Sequence, residues 1–164
     1  MHSNMPTIRI TPLFDQKVRG LCVKPYPLHP HGCPNFGKAI RCPPAVGLLD
    51  EVYDLQKPSY VIYNIFDLGA HVEKMRRLHP NWSERQLYCC LYWQGKARKE
   101  LKSEVEKFHR TKDPMKELLV TTCPEAMGLN VTETMRRAGI KLEWPPVEIA
   151  LQVAFAGIPR IEKT

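Results

Sequence analysis

Cysteine is the residue type with the most chemistry to offer in this chain, and its placement is uneven. Cys22, Cys33 and Cys42 fall in one short stretch, with ten and eight residues between them. Their local words are Gly20-Leu21-Cys22, Gly32-Cys33-Pro34 and Arg41-Cys42-Pro43-Pro44. Pro25, Pro27, Pro30, Pro34, Pro43 and Pro44 crowd the same stretch, together with Gly32 and Gly37. Proline removes backbone donors and pushes the preceding residue toward extended geometry, so neither a regular helix nor a central strand is expected. An irregular loop of about 20 residues is unusual in a compact domain and wants a functional reason. Thiolates supply one. On a loop that is not tied to a ladder they can converge on one point, and loop N–H groups can donate to cluster sulfides and tune redox potential. Proline directly after cysteine restricts the chain and helps to fix the direction of the sulfur. Cys123-Pro124 repeats that local chemistry at the end of an expected strand, which makes Cys123 the candidate fourth ligand.

The expected site is therefore a metal centre held by Cys22, Cys33, Cys42 and Cys123. Structural zinc usually sits on close C-x(2–4)-C pairs, and the chain has none. Iron–sulfur clusters accept wider spacings because a cluster is a larger object than one ion, although the compact ferredoxin run is absent too. The spacing favours iron–sulfur, with a 4Fe–4S cluster as the expected cofactor and zinc as the alternative. Free cysteine also serves as a small buried hydrophobe. That reading is applied to Cys89 and Cys90, which lie beside Tyr88, Leu91, Tyr92 and Trp93 in an expected helix.

Other residues offer less. His29 and His31 flank Pro30 inside the loop and could complete a mixed Cys/His site; solvated loop histidines are the plainer reading. His71, His79 and His109 lie on expected helices or at their ends without a pairing signal, and His2 belongs to the terminal segment. Arg76, Arg77, Lys96, Arg98, Lys99, Lys102, Arg136, Arg137 and Lys141, with Trp82 and Trp93 nearby, could build a phosphate-binding surface. Glu100, Glu104 and Glu106 are interleaved at spacings that instead support local ion pairs on a solvated helix face. No phosphate-cradling glycine loop, nucleophile elbow or H-E-x-x-H helix is present.

A length of 164 residues fits one domain, residues 1–164, carrying the cysteine loop 20–45 and the Cys123 region. Such a domain buries roughly 70% of its unfolded surface and needs no staples. No apolar run approaches the roughly 20 residues of a membrane span, and the first residues lack the basic-then-apolar pattern of a secretory signal. The expected setting is cytoplasmic and reducing, where cysteines act as ligands, catalysts or core residues rather than disulfides. The formal charge of +7 assumes neutral thiols. Four thiolates around a doubly positive cluster would remove about two of those charges. The remaining basic balance suits nucleic acid or anionic substrates and suits plain solubility equally.

The elements that must position the cysteines follow from periodicity. Residues 7–11 read as a short strand, 47–56 as a short helix stopped by Pro58, and 60–66 as a buried strand rich in β-branched and aromatic residues. Residues 70–78 read as a helix ended by Pro80. Ser83 and Gln86 form a capping box. Behind it Leu87, Cys90, Leu91, Ala97, Leu101, Val105 and Phe108 recur at helical spacing, giving one long helix to about residue 110 that Gly95 weakens. Residues 118–122 form another strand. Asn130 with Glu133 opens a helix that Gly139 closes, and 147–156 is the last strand. The order predicts an α/β or α+β single domain with one central mixed sheet flanked by helices.

Cys22, then Cys33-Pro34-Asn35-Phe36-Gly37-Lys38, then Cys42-Pro43-Pro44, resembles the C…CPxYGxxxxCPP signature of a prokaryotic family of uncharacterised predicted metal-binding proteins, widespread in archaea and anaerobic bacteria. The run 124–131, followed by Thr134 and Arg137-Ala138-Gly139-Ile140, is similar to that family's C-terminal motif. The likeness covers most of the chain and implies a metal site on Cys22, Cys33 and Cys42, with Cys123 added. Two features depart from the family pattern: the segment 111–122 lacks the further cysteine-rich stretch of family members, and the Cys22–Cys33 spacing is longer. The resemblance implies a metal and no reaction. The leading expectation is an iron–sulfur protein that transfers electrons to a redox partner protein or serves an anaerobic enzyme. Three ligands alone would leave one iron open as a Lewis acid, giving an enzyme acting on a small molecule, nucleotide or RNA. A zinc-stabilised binding module is the third reading.

Overall fold

Two nine-residue strands form the spine of the molecule. In the computed structural model, which describes residues 6–26, 29–111 and 117–161, β1 is Thr7–Ile10, β2 is Ser59–Asp67, β3 is Leu119–Thr121 and β4 is Ile149–Gly157. The helices are α1 (Leu49–Val52), α2 (Leu68–Leu78), α3 (Glu84–Leu87), α4 (Gln94–Thr111) and α5 (Val131–Arg137). The terminal His2 and Pro27 of the loop lie outside the described residues. None of the helices is long and apolar enough to cross a membrane, among the described residues.

The four strands make one sheet in the order β1-β2-β4-β3. This is an α+β domain, and the sheet is antiparallel throughout rather than mixed. The reason lies in where β4 inserts. β2 and β3 run in the same direction and are joined through the helices α2 to α4, as in a parallel crossover. The C-terminal strand β4 enters between them, pairing Tyr60 with Ala156 on one side and Val120 with Ala156 on the other. Both ladders that would have been one parallel pair become antiparallel.

Alternation along β2 and β4 sends successive side chains to opposite faces. Val61 and Phe155, directly paired, join Tyr53, Leu49, Met127, Leu129 and Met135 in one core. Tyr53 meets Phe155 edge-on at 5.0 Å between ring centroids, a geometry worth about 0.5–1.5 kcal/mol beyond area burial. Ile62, Phe66, Ala150, Ala154 and Ala156 turn to the opposite face and meet α2 and α4. Small alanines there let α4 lie close, with Ala97 fully buried. Asn64 is buried on the same face and donates to the Ala97 carbonyl at 3.1 Å.

The expected long helix over 83–110 is interrupted. The Ser83–Gln86 capping box forms, but α3 ends after one turn, Cys89 is extended (φ −62°, ψ 122°), and a 3-10 turn, Cys90–Tyr92, precedes α4. The break turns Trp93 inward, where its ring stacks on Phe66 at 5.5 Å and its indole N–H donates to the Tyr88 carbonyl at 3.2 Å. A continuous helix satisfies the apolar spacing but not this stack. Gly95 consequently sits in the first turn of α4 rather than mid-helix. At the other end of the chain, Asn130 caps α5 by accepting from the Glu133 N–H at 3.1 Å, and Gly139 (φ 87°) closes it.

Two outcomes test this arrangement. Phe155→Ala is expected to cost about 3–5 kcal/mol in urea unfolding, whereas Ile65→Ala, on a strand residue 61% exposed, shifts stability by less than about 0.5 kcal/mol; equal costs would contradict the facing of β2 and β4. Bonds from Arg136 and then Arg137 pull the Glu133 carboxyl from 4.5 down to about 2. Its folded value lies below the unfolded one, so its stabilisation is present above the ordinary carboxylate range and is lost as pH falls toward 2. Arg136→Ala should move the Glu133 carboxyl resonance titration up in an NMR pH series; an unmoved titration would refute the pairing.

Candidate metal centre

The first two cysteines are joined along the backbone by a glycine. Cys22 lies near the end of a 3-10 segment, Gln16–Val23, that Asp15 opens by accepting from the Lys17 N–H at 2.9 Å. The chain then loops out and returns at Gly32, whose backbone has φ 79°. A Cβ at this position would stand 2.7 Å from the Val23 carbonyl carbon and 2.8 Å from the Cys22 oxygen. Only glycine combines a left-handed backbone with so close an approach. The next residue uses that proximity: the Cys33 N–H donates to the Cys22 carbonyl at 2.8 Å.

A run of tight turns then carries the chain from Cys33 to Cys42. Phe36 N–H donates to the Cys33 carbonyl, Lys38 to Asn35 and Cys42 to Ala39, at 2.9–3.1 Å, with Gly37 at φ 70°. The Cys42 thiol donates back to the Asn35 carbonyl at 3.1 Å, closing the turn upon itself. The Arg19 guanidinium donates to the Val46 carbonyl at 2.7 Å and ties the far end of the loop to the 3-10 segment. The loop is anchored below by the chain around Phe14, where the Asp15 N–H donates to Gly128 O and the Asn130 N–H to Leu13 O, both at 2.8 Å.

Cys22 lies within electrostatic range of Cys33 and Cys42. Burial pushes the Cys22 thiol up, and Cys33, Cys42 and Glu125 push it further, against Arg19, which lowers it. All three are half-buried, so a centre there would be partly exposed to solvent. Glu125 is exposed as a residue, whereas its carboxyl group is desolvated and therefore raised, against a bond to its own backbone. Among the described residues, no group of three or more His, Cys, Asp or Glu side chains stands close enough to hold a single metal ion. The donor set is soft thiol sulfur, which suits zinc, copper(I) or iron–sulfur clusters. Each thiolate would repel its neighbours until a cation intervened, and bound metal inverts that logic.

Cys123 occupies a different setting. It follows β3, its N–H donates to Thr121 Oγ1 at 3.3 Å, and its Sγ lies 3.4 Å from the same hydroxyl. It also stands near the buried Tyr53 phenol, which burial and then Cys123 raise. Its link to the loop is indirect: Arg41, beside Cys42, donates to Thr122 Oγ1 at 3.3 Å. The expected histidines divide as well. His31 is exposed, His79 stacks on Trp82 at 4.1 Å, and His71 and His109 lie against phenylalanine rings. His29, in contrast, places Nε2 3.4 Å from the sulfur of Cys90. Cys90 does pack beside the Phe66–Trp93 core, yet it sits in the helix break and not mid-helix. The one signal that could have singled out Gly32 is its position directly before Cys33; nothing in the sequence pairs His29 with Cys90.

On the basic face, Lys107 pairs with Glu104 at 2.6 Å and Arg98 donates to Gln94 at 3.0 Å, the local pairing of a solvated helix. Comparison of the chain with protein-family models, with curated proteins and with solved structures finds no match.

Gly32→Ala is expected to lose about 1–2 kcal/mol from the left-handed backbone alone, and more from the backbone contact. Gly20→Ala, where a Cβ meets nothing within 4 Å, is the neutral control. Urea unfolding of both variants reads the difference, and equal stabilities would show that the Cys22–Gly32 approach is not made.

Proposed function

We propose that this protein binds a 4Fe–4S cluster through Cys22, Cys33 and Cys42 and serves in electron transfer or as an accessory to an anaerobic enzyme. What supports the reading is the placing of three cysteines on one irregular loop, in which the Gly32 approach and the Cys33–Cys22 backbone hydrogen bond join the first two along the main chain. When bound, the cluster would supply one-electron redox chemistry whose potential depends on hydrogen bonds to sulfur and on solvent exposure. The loop's own residues hold the thiols, and the Arg19 guanidinium stands beside Cys22 to offset thiolate charge.

Two features support a cluster over zinc. Cys22, Cys33 and Cys42 are separated by ten and eight residues, wider than the close pairs usual for structural zinc. A cluster spreads its ligands over a larger body. Partial exposure of the thiols suits electron exchange with a redox partner protein, and exposed Leu21, Val23, Phe36 and Ile40 neighbour the cysteines in sequence. Transient redox encounters use small contact surfaces of this kind.

Anaerobic reconstitution with ferrous iron and sulfide tests the proposal. The expected product is brown, with broad visible absorption and iron and acid-labile sulfide in equal amounts. Cys22→Ala should lose most of both. Colourless protein without iron, or protein that takes up one zinc ion instead, would overturn it.

A further inference from the structure

Three aromatic rings form a short ladder at the surface beside the helix break. His79 and Trp82 lie 4.1 Å apart and within 9° of parallel, and Trp82 meets Tyr92 at 4.7 Å. Trp82, in the middle, is half-buried and packs on the Phe66–Trp93 core, so the ladder has a firm base. The turn between α2 and α3 fixes the first two rings. The His79 N–H donates to the Met75 carbonyl at 2.8 Å, and the Trp82 N–H to the His79 carbonyl at 3.0 Å. Tyr92 comes from the 3-10 turn of the break, where its N–H donates to the Cys89 carbonyl at 3.1 Å. Both ends of the ladder are open: His79 is exposed, Tyr92 is 51% exposed and the adjoining Leu91 76%. A ring that only filled the core would be covered, as Trp93 is.

Charge around the ladder favours an anionic partner. From α2 to the break, residues 68–93, the chain carries four Lys or Arg and two Glu. Arg76 takes up both carboxylates, Glu84 at 2.5 Å and Glu73 at 3.6 Å. Arg77, two residues before His79, and Arg85, three after Trp82, are exposed and make no ion pair among the described residues. We propose that the ladder binds single-stranded nucleic acid, with unpaired bases stacking on the exposed His79 and Tyr92 rings and Arg77 and Arg85 meeting the phosphates. Every base has a π-face, so such stacking tolerates sequence, and the phosphodiester charge answers the free guanidinium groups. An acidic peptide would satisfy the arginines and leave the rings without partners. A duplex keeps its base faces within its own stack. The formal charge of +7 adds long-range attraction for a polyanion. No thiol takes part in this surface, so the inference stands apart from the iron–sulfur reading.

The full chain is titrated against a fluorescein-labelled oligodeoxythymidylate of about 12 nucleotides, within the site sizes of such surfaces. Fluorescence anisotropy is read over a series of salt concentrations, with a duplex of the same length beside it. The parent chain should bind the single strand in preference to the duplex, and more weakly as salt rises. Tyr92→Ala should weaken binding about tenfold with the salt slope unchanged, and Tyr92→Phe, which keeps the ring, should bind like the parent. His79→Ala, at the other open end, should weaken binding as well, and it carries the test if circular dichroism shows Tyr92→Ala unfolded. The double variant Arg77→Ala/Arg85→Ala should lower the slope of log affinity against log salt by about 1.4. Absence of binding at low salt, or Tyr92→Ala and His79→Ala variants that bind like the parent, would overturn the inference. Equal affinity for the duplex, or equal competition by polyglutamate, would overturn it too, since neither offers a free base. A dimer in sedimentation that Leu91→Lys dissociates would assign the patch to a second copy of the chain instead.

Discussion

The close approach of Gly32 to the backbone of Cys22 and Val23 is the constraint on which the site depends. Two strands of an irregular loop touch main chain to main chain there, with no side chain between them. The contact needs a residue without a Cβ and with a left-handed backbone, and it places the following cysteine one hydrogen bond from the first. Everything further along the loop, the turns to Cys42 and the Arg19 tether at Val46, extends from that fixed point. Ionisation of Cys22 is opposed by burial first and then by Cys33 and Cys42, so its thiol is held toward the neutral form.

The sheet contributes by supporting the loop from two sides. The core around Tyr53, Phe155 and Leu129 carries the segment 13–15 and, through it, the 3-10 segment that bears Cys22. The opposite core, around Phe66, Trp93 and Ala97, carries the broken helix that bears Cys90. The loop therefore touches elements from both faces of one sheet. The Phe66–Trp93 stack fixes the break that bears Cys90, and the loop meets it at the His29 contact of 3.4 Å.

Much of the architecture was legible from periodicity and caps. Strands over 7–11, 60–66, 118–122 and 147–156 appear within a residue or two of their expected bounds, because β-branched and aromatic runs between turn residues have few other uses. The Ser83–Gln86 box, the Asn130 cap and the Gly139 stop are local chemistry and appear as local chemistry predicts. The break in the long helix is not legible because Leu87, Cys90, Leu91 and Ala97 satisfy helical spacing whether or not the helix breaks; the aromatic stack across to β2 decides, and spacing does not register it. The sheet was expected to be mixed because strands and helices alternate. Only the insertion of β4 between β2 and β3, a long-range choice, makes it antiparallel.

The sequence by itself determined which residues can act as ligands and that the stretch holding Cys22, Cys33 and Cys42 would be irregular, since proline and glycine impose backbone geometry residue by residue. Tertiary structure alone decided what each sulfur faces. His29 and Cys90 are 61 residues apart along the chain, and the 3.4 Å contact between them is made only in the folded molecule. Thiol groups carry no pairing code of their own; a sulfur meets whatever the backbone brings to it.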